Sequence, residues 1–238
     1  MNYNFEPLKK VNFIKFLGVF IEETLNWSKH INEVSKQISK INGVLYNLRR
    51  SIPRTLITSI YYALVNSKLS YCISAWGSGG AECSLAKLFT AQKRAVRTLY
   101  NVKRCNKFVR GHTKKVFNDN GIMTVHNLYS QSVFFDTYKI IHNEAPEFLF
   151  NKLSFSNHNT SRLINSKVVY KTLKNNFYFT APKIWNTFNS VVETGLNPKI
   201  KIKKYLLNLQ KTGEPNTWLP YNLSLDNYVT AAKSAAYL

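Results

Sequence analysis

Two apolar stripes at helical spacing, joined by only Ser51-Ile52-Pro53, constrain this chain most. Ile31, Val34, Ile38, Ile41, Leu45 and Leu48 recur every three or four residues. That spacing predicts a helix from a Ser28 cap to about Arg49, with Lys29, Lys36 and Lys40 off the apolar side. Ser51 and Pro53 then read as the cap and early proline of a second helix, whose buried face takes Leu56, Ile57, Ile60, Tyr61, Leu64 and Val65. So short a link makes the two helices neighbours and predicts an antiparallel pair. Ahead of them, Phe13, Lys15, Leu17 and Val19 alternate with Ile14, Phe16 and Phe20, as strands do, and Gly18 suits a turn.

Downstream the helical pattern continues. Ser84 can cap a helix to about Tyr100 with Leu85, Leu88, Phe89, Val96 and Leu99 inward. A short helix near Thr113 stops at Asn120-Gly121, and Thr124 can cap another to about Asn143, facing inward with Leu128, Tyr129, Phe135, Tyr138 and Ile141. Residues 151–166, rich in Ser, Asn and Thr, read as a linker. Val168 to Tyr170 and Phe177 to Phe179 are strand-like. Ala181-Pro182 opens a short helix with Ile184, Trp185 and Phe188. Asn197-Pro198 starts a last basic helix with Ile202, Tyr205, Leu206 and Leu209. Gly77-Ser78-Gly79-Gly80 lacks the Gly-Lys-Ser/Thr of a phosphate loop and reads as a flexible turn. The expected fold is mainly α: a helical bundle with an N-terminal β-hairpin and a small α+β C-terminal region.

The charge is one-sided. Thirty-three Lys and Arg face 12 Asp and Glu, a net charge of +21. Between Glu82 and Asp119 stand ten basic residues and no carboxylate. Surface lysines are ordinarily mixed with acids, which limits self-repulsion, so an unrelieved run points to phosphate contact. The other reading is a lysine-rich solvated skin. The expected contact patch is Lys87, Lys93, Arg94, Arg97, Lys103, Arg104, Lys107 and Arg110, with Tyr100 and Phe108 placed to stack on unpaired bases or to pack in the core. No stretch reaches the ~18 apolar residues of a membrane span, and no secretory signal is visible. Cys72, Cys83 and Cys105 form no short-spaced pair. They suit a reducing compartment better than a disulfide scaffold or a zinc site with His112. An intracellular setting, nuclear or cytoplasmic, is expected.

From about Val11 to Gln210 the chain also resembles the end of the reverse transcriptase of a jockey-like non-LTR retrotransposon. The residues that carry the likeness are Phe16-Leu17-Gly18-Val19, Trp27 with His30-Ile31, Tyr71, Ala75-Trp76-Gly77, Gln92 to Arg97, His112-Thr113, Trp185-Asn186 and Lys203 to Leu206. The resemblance implies a primer-grip-like hairpin over residues 1–26, a thumb-like basic bundle over 27–150, a C-terminal extension over 151–211 and a tail over 212–238. It implies RNA or an RNA–DNA hybrid as partner, and the fingers and palm as the missing remainder. The palm's Asp-Asp turn, which holds two catalytic metals, is not here: Asp119, Asp136 and Asp226 stand alone. No catalytic residue is therefore expected, nor any cofactor in this chain, Mg²⁺ belonging to the palm.

His30 to about Trp76 is also similar to the N-terminal helical segment of AlkB-type tRNA-modifying enzymes. That family's iron site needs a His-x-Asp, which does not occur. A helical protein-interaction module, with incidental charge, is the alternative of a different class.

Overall fold

The computed structural model describes residues 10–78, 83–102, 112–157, 159–164, 176–192 and 198–212. Phe108, the expected strand at Val168 to Tyr170 and the tail lie outside them. The protein is mainly helical, with a two-stranded antiparallel hairpin at the N-terminal end and a small sheet towards the C-terminal end.

Strands β1 (Phe13–Phe16) and β2 (Val19–Glu22) pair with Phe16 opposite Val19, leaving Leu17-Gly18 as a two-residue turn. Both turn residues have positive φ, +45° and +85°, the geometry that matches the twist of a tight hairpin. Gly18 adopts it freely, whereas Leu17 is strained there. The Tyr71 hydroxyl donates to the Leu17 carbonyl at 2.7 Å and ties the tip to the bundle.

Helix α1 (Ser28–Leu48) buries Ile31, Val34, Ile38 and Leu45 along the expected stripe. Ser28 does not cap it: Trp27 does, with φ +61°. The first amides are met instead by Asn26 Oδ1, which accepts from Ser28 N at 3.1 Å, and Glu22 Oε2, which accepts from Lys29 N at 3.0 Å. The Glu22 carboxylate also suits the positive helix end. His30 packs edge-on to Trp76, ring centroids 5.2 Å apart.

Helix α2 (Arg54–Tyr61) runs into a π-helical segment (Tyr62–Asn66) and then α3 (Ser67–Ser70) and α4 (Ile73–Trp76). Ile57, Tyr61, Val65 and Leu69 are all fully buried. A strict four-residue repeat drifts by about 40° per step on an α-helix. The wider π turn absorbs that drift and keeps these side chains on one side. Leu56 and Leu64 consequently face solvent, 56% and 40% exposed, against the sequence expectation. Against expectation, α1 packs mainly along α5 (Cys83–Leu99) and only lightly on α2.

Gly77 is not a flexible joint. Its amide donates to Ile73 O at 2.7 Å, and a Cβ there would lie 2.5 Å from that oxygen and from Tyr129 Cδ2. Close approach of α4 to α7 (Val125–Ile141) explains the glycine.

Helix α7 is the centre of the fold, touching α3, α4, α5, α8 and α9. Thr124 caps it, Oγ1 accepting from Asn127 N at 3.3 Å. Three helices end alike. After α5, α6 (His112–Asp119) and α7, a positive-φ residue (Asn101, Gly121 or Asn143) donates three residues back, and the next residue five back.

The turn between α6 and α7 is held by two buried amides. Gln92 Nε2 donates to Met123 O at 2.9 Å and to the Tyr61 hydroxyl at 3.1 Å, while its Oε1 accepts from Val125 N at 2.9 Å. Gln210 Nε2 donates to Ile122 O at 3.0 Å, and its Oε1 accepts from Asn127 Nδ2 at 3.0 Å.

Residues 151–166 are not all linker. After a 3₁₀ turn (Glu147–Lys152), β3 (Phe155–Ser156) pairs antiparallel with β4 (Asn159–Leu163). Asn186 clamps Leu163 from both sides, its amide donating at 2.9 Å and accepting at 2.8 Å. Phe177 to Phe179 are helical rather than strand. Asn176 Oδ1 accepts from Tyr178 N at 3.2 Å and starts α8 (Phe177–Val192). Helix α9 (Pro198–Thr212) buries Ile202, Leu206 and Gln210 as its periodicity requires. Both join the core over α7, where Trp185 stacks on Phe134 with centroids 5.2 Å apart.

Candidate nucleic-acid interface

The expected basic patch begins on α5, and packing of that helix against α1 and α7 sorts its cations. Leu88, Phe89, Ala95, Val96 and Leu99 are buried. Lys87 and Arg94 are exposed and seven residues apart. Two α-helical turns nearly repeat the azimuth, so the pair shares one side within about 20°. Lys87 Nζ donates to Asn32 Oδ1 of α1, which bridges the two helices on that surface.

Lys93 and Arg97 are half-buried on the neighbouring stripe. Lys93 Nζ lies 4.5 Å from the centroid of the Phe89 ring, a cation–π contact that suits a partly desolvated ammonium. Burial, and then the Arg97 charge, hold the Lys93 ammonium below the usual lysine range. The Phe89 ring meets His126 edge-on at 5.4 Å. Burial first, and the Lys93 charge second, push the His126 imidazole down to about 4. Its Nε2 is buried and has no hydrogen-bond partner, so the neutral ring is the form that fits. On α6, Lys115 is exposed and Lys114 half-buried. Lys103, Arg104, Lys107 and Arg110 lie outside the described residues.

Among the acidic residues, Glu22 serves the α1 end and Glu23 pairs with Lys10 at 2.7 Å. Asp119 closes α6 and is exposed; Asp136 is half-buried on α7. Tyr100 packs half-buried against the core, with the Arg54 guanidinium 5.8 Å from its ring centroid.

Sequence reasoning left a second cationic surface out of the patch. Helix α9 carries Lys199, Lys201, Lys203, Lys204 and Lys211 and no carboxylate. Three of them border a groove of about 580 Å³ against the π segment. The signal was present as an acid-free basic helix. What was missing was the knowledge that α9 lies across from Tyr62. A further cleft of about 490 Å³ runs between the hairpin, α1 and α3, with Lys15, His30, Glu33, Lys68 and Tyr71 in its walls. Burial lowers the His30 pKa, and His30 Nδ1 accepts from Phe20 N at 3.5 Å, which makes it a packing residue between hairpin and helix.

Among the described residues, no group of three His, Cys, Asp or Glu side chains could hold a metal ion. Of the candidate ligands, Cys72 is free and exposed, while the Cys83, Cys105 and His112 side chains lie outside the description. No helix among the described residues is long and apolar enough to cross a membrane. No family model matches the chain, and no curated protein or solved structure does so either.

Proposed function

We propose that this chain binds nucleic acid, RNA or an RNA–DNA hybrid, through the basic surface of α5 and the segment that follows it, and that it has no catalytic activity alone. One observation carries the reading. Ten cations occur between Glu82 and Asp119 without a carboxylate, and α5 sets Lys87 and Arg94 on one open side of a packed helix. Such a row meets phosphates and fixes position without reading bases. Lys93, Arg97, Lys103, Arg104, Lys107 and Arg110 extend it in sequence.

In origin the chain is read as the thumb and downstream part of a retroelement reverse transcriptase, Mg²⁺ and the nucleotide chemistry being the work of the palm in such an enzyme. The hairpin supports this. All four β1 residues are exposed, and Phe13, Ile14, Phe16 and Leu17 range from 46% to 74% exposed. A strand so apolar and so uncovered suits a neighbour from another part of a polymerase. The same face supports a second reading, a helical module that binds a protein through its hairpin.

A salt titration with a blunt RNA–DNA hybrid tests the proposal. Log affinity should fall with log salt by about 0.9 per phosphate neutralised, and Lys87→Ala/Arg94→Ala should flatten the slope by about 2 such increments. No measurable binding at low salt would remove nucleic acid and leave the protein-binding reading.

A further inference from the structure

The groove between the π segment and α9 has a build that the α5 surface lacks. It is concave, about 580 Å³, and its lining contains Lys199, Lys203 and Lys204 but no carboxylate. Its apolar lining comes from Met123, Leu128, Ile200 and Leu207. Tyr62 and Asn66, the two ends of the π segment, both belong to it, and Tyr62 is 37% exposed. π segments interrupt α-helices rarely and often at functional sites. Here the wider turn brings a tyrosine ring and a primary amide to one wall. Gln131 adds a second amide, and each amide can both donate and accept.

A duplex offers phosphates and hides its base faces. A convex cationic helix suits it, and a groove with an apolar floor and an aromatic rim does not. An unpaired strand exposes both phosphates and base faces, and proteins hold it by a cationic track beside rings on which bases stack. The volume also falls within the range of about 300–1,000 Å³ common to small-ligand sites, room for a base rather than a helix. We propose that this groove holds an unpaired stretch of RNA, a base resting on Tyr62 and its flanking phosphates on Lys203 and Lys204. The inference rests on the nucleic-acid reading and gives it a second site of different selectivity.

The test uses the full chain and two probes, a twelve-residue oligouridylate and a blunt RNA–DNA hybrid, by fluorescence anisotropy. Tyr62→Ala should weaken oligouridylate binding about ten-fold, the worth of one stacked base. Tyr62→Phe, which keeps the ring, should stay within about two-fold. Lys203→Ala/Lys204→Ala should weaken it similarly and reduce the salt slope by about 1.4, two phosphates of a single strand. None of these changes should move hybrid binding by more than about two-fold, whereas Lys87→Ala/Arg94→Ala should. Hybrid binding without oligouridylate binding would overturn this inference and leave the parent reading standing. Failure to bind either probe would overturn both. Tyr62→Ala weakening both probes equally would mean that the groove is not selective and would refute the proposal. So would a copy–copy association, read by light scattering, that Tyr62→Ala abolishes, since a protein would then occupy the groove.

Discussion

Replacing Gln92 by Leu should cost this fold more than its conservative shape suggests. Gln92 is fully buried, and its amide makes three hydrogen bonds, at 2.9, 2.9 and 3.1 Å. Leucine nearly matches its volume, so cavity formation contributes little and the loss is polar. It would strand the Met123 carbonyl and the Val125 amide in the core and take the partner from the Tyr61 hydroxyl. A buried orphan costs roughly 1–3 kcal/mol, and shared relaxation makes three of them sub-additive, giving about 3–4 kcal/mol. That is a large part of the roughly 5–15 kcal/mol available to a domain. In a chain of this size it corresponds to a Tm lowered by about 10 °C. Urea denaturation would read it as a lower midpoint at constant slope, and amide exchange at Val125 should accelerate. Adding Tyr61→Phe removes the stranded hydroxyl and should restore about 1 kcal/mol. A loss below about 1 kcal/mol, or unchanged Val125 exchange, would show that the α6–α7 turn stands without Gln92.

Three other outcomes are expected. Gly77→Ala drives a methyl to 2.5 Å from Ile73 O and should destabilise by about 3 kcal/mol, visible as a lower thermal midpoint. Leu17→Gly relieves a +45° φ at a 74% exposed site and should stabilise the native hairpin by about 1 kcal/mol, seen as a raised urea midpoint. His126 titrates at about 4 when folded and near 6.5 when unfolded, so the unfolded chain binds the proton first as acid is added. Its contribution is full above about pH 6.5 and declines as pH falls towards about 4, by up to about 3 kcal/mol. Stability measured across that window should flatten in His126→Gln, and Lys93→Gln should raise the His126 midpoint in an NMR titration.

Helix existence was legible in the sequence because a helix is a local object. Ile31, Val34, Ile38 and Leu45 fell where their spacing put them, and so did Ile202 and Leu206. Thr124 and Gly121 marked their helix ends for the same reason. Asn101 and Asn176 carried equal information about a stop and a start and went unread. Phe177 to Phe179 looked strand-like because three aromatics in a row outweighed the cap before them. The α7 face differs from the expected one for another reason: Val133, Phe134, Thr137 and Ile140 are buried, whereas Tyr129, Phe135, Tyr138 and Ile141 are only half-buried. A helix buried on several sides shows no single stripe.

For the candidate site, periodicity placed Lys87 and Arg94 away from the core, but it did not separate them from half-buried Lys93 and Arg97. That division depends on Phe89 and His126, which arrive from a neighbouring turn and a distant helix. The amino-acid order thus determined where helices form, which stripe of each is apolar, and how cations outnumber acids. Only the tertiary structure decided what each stripe meets: α5 rather than α2 for α1, Asn186 for the β4 strand, and α9 for the wall beside Tyr62. A stripe records that a face must leave water, and burial is non-directional, so the choice among possible covers is made by shape and by buried amides such as Gln92 and Gln210.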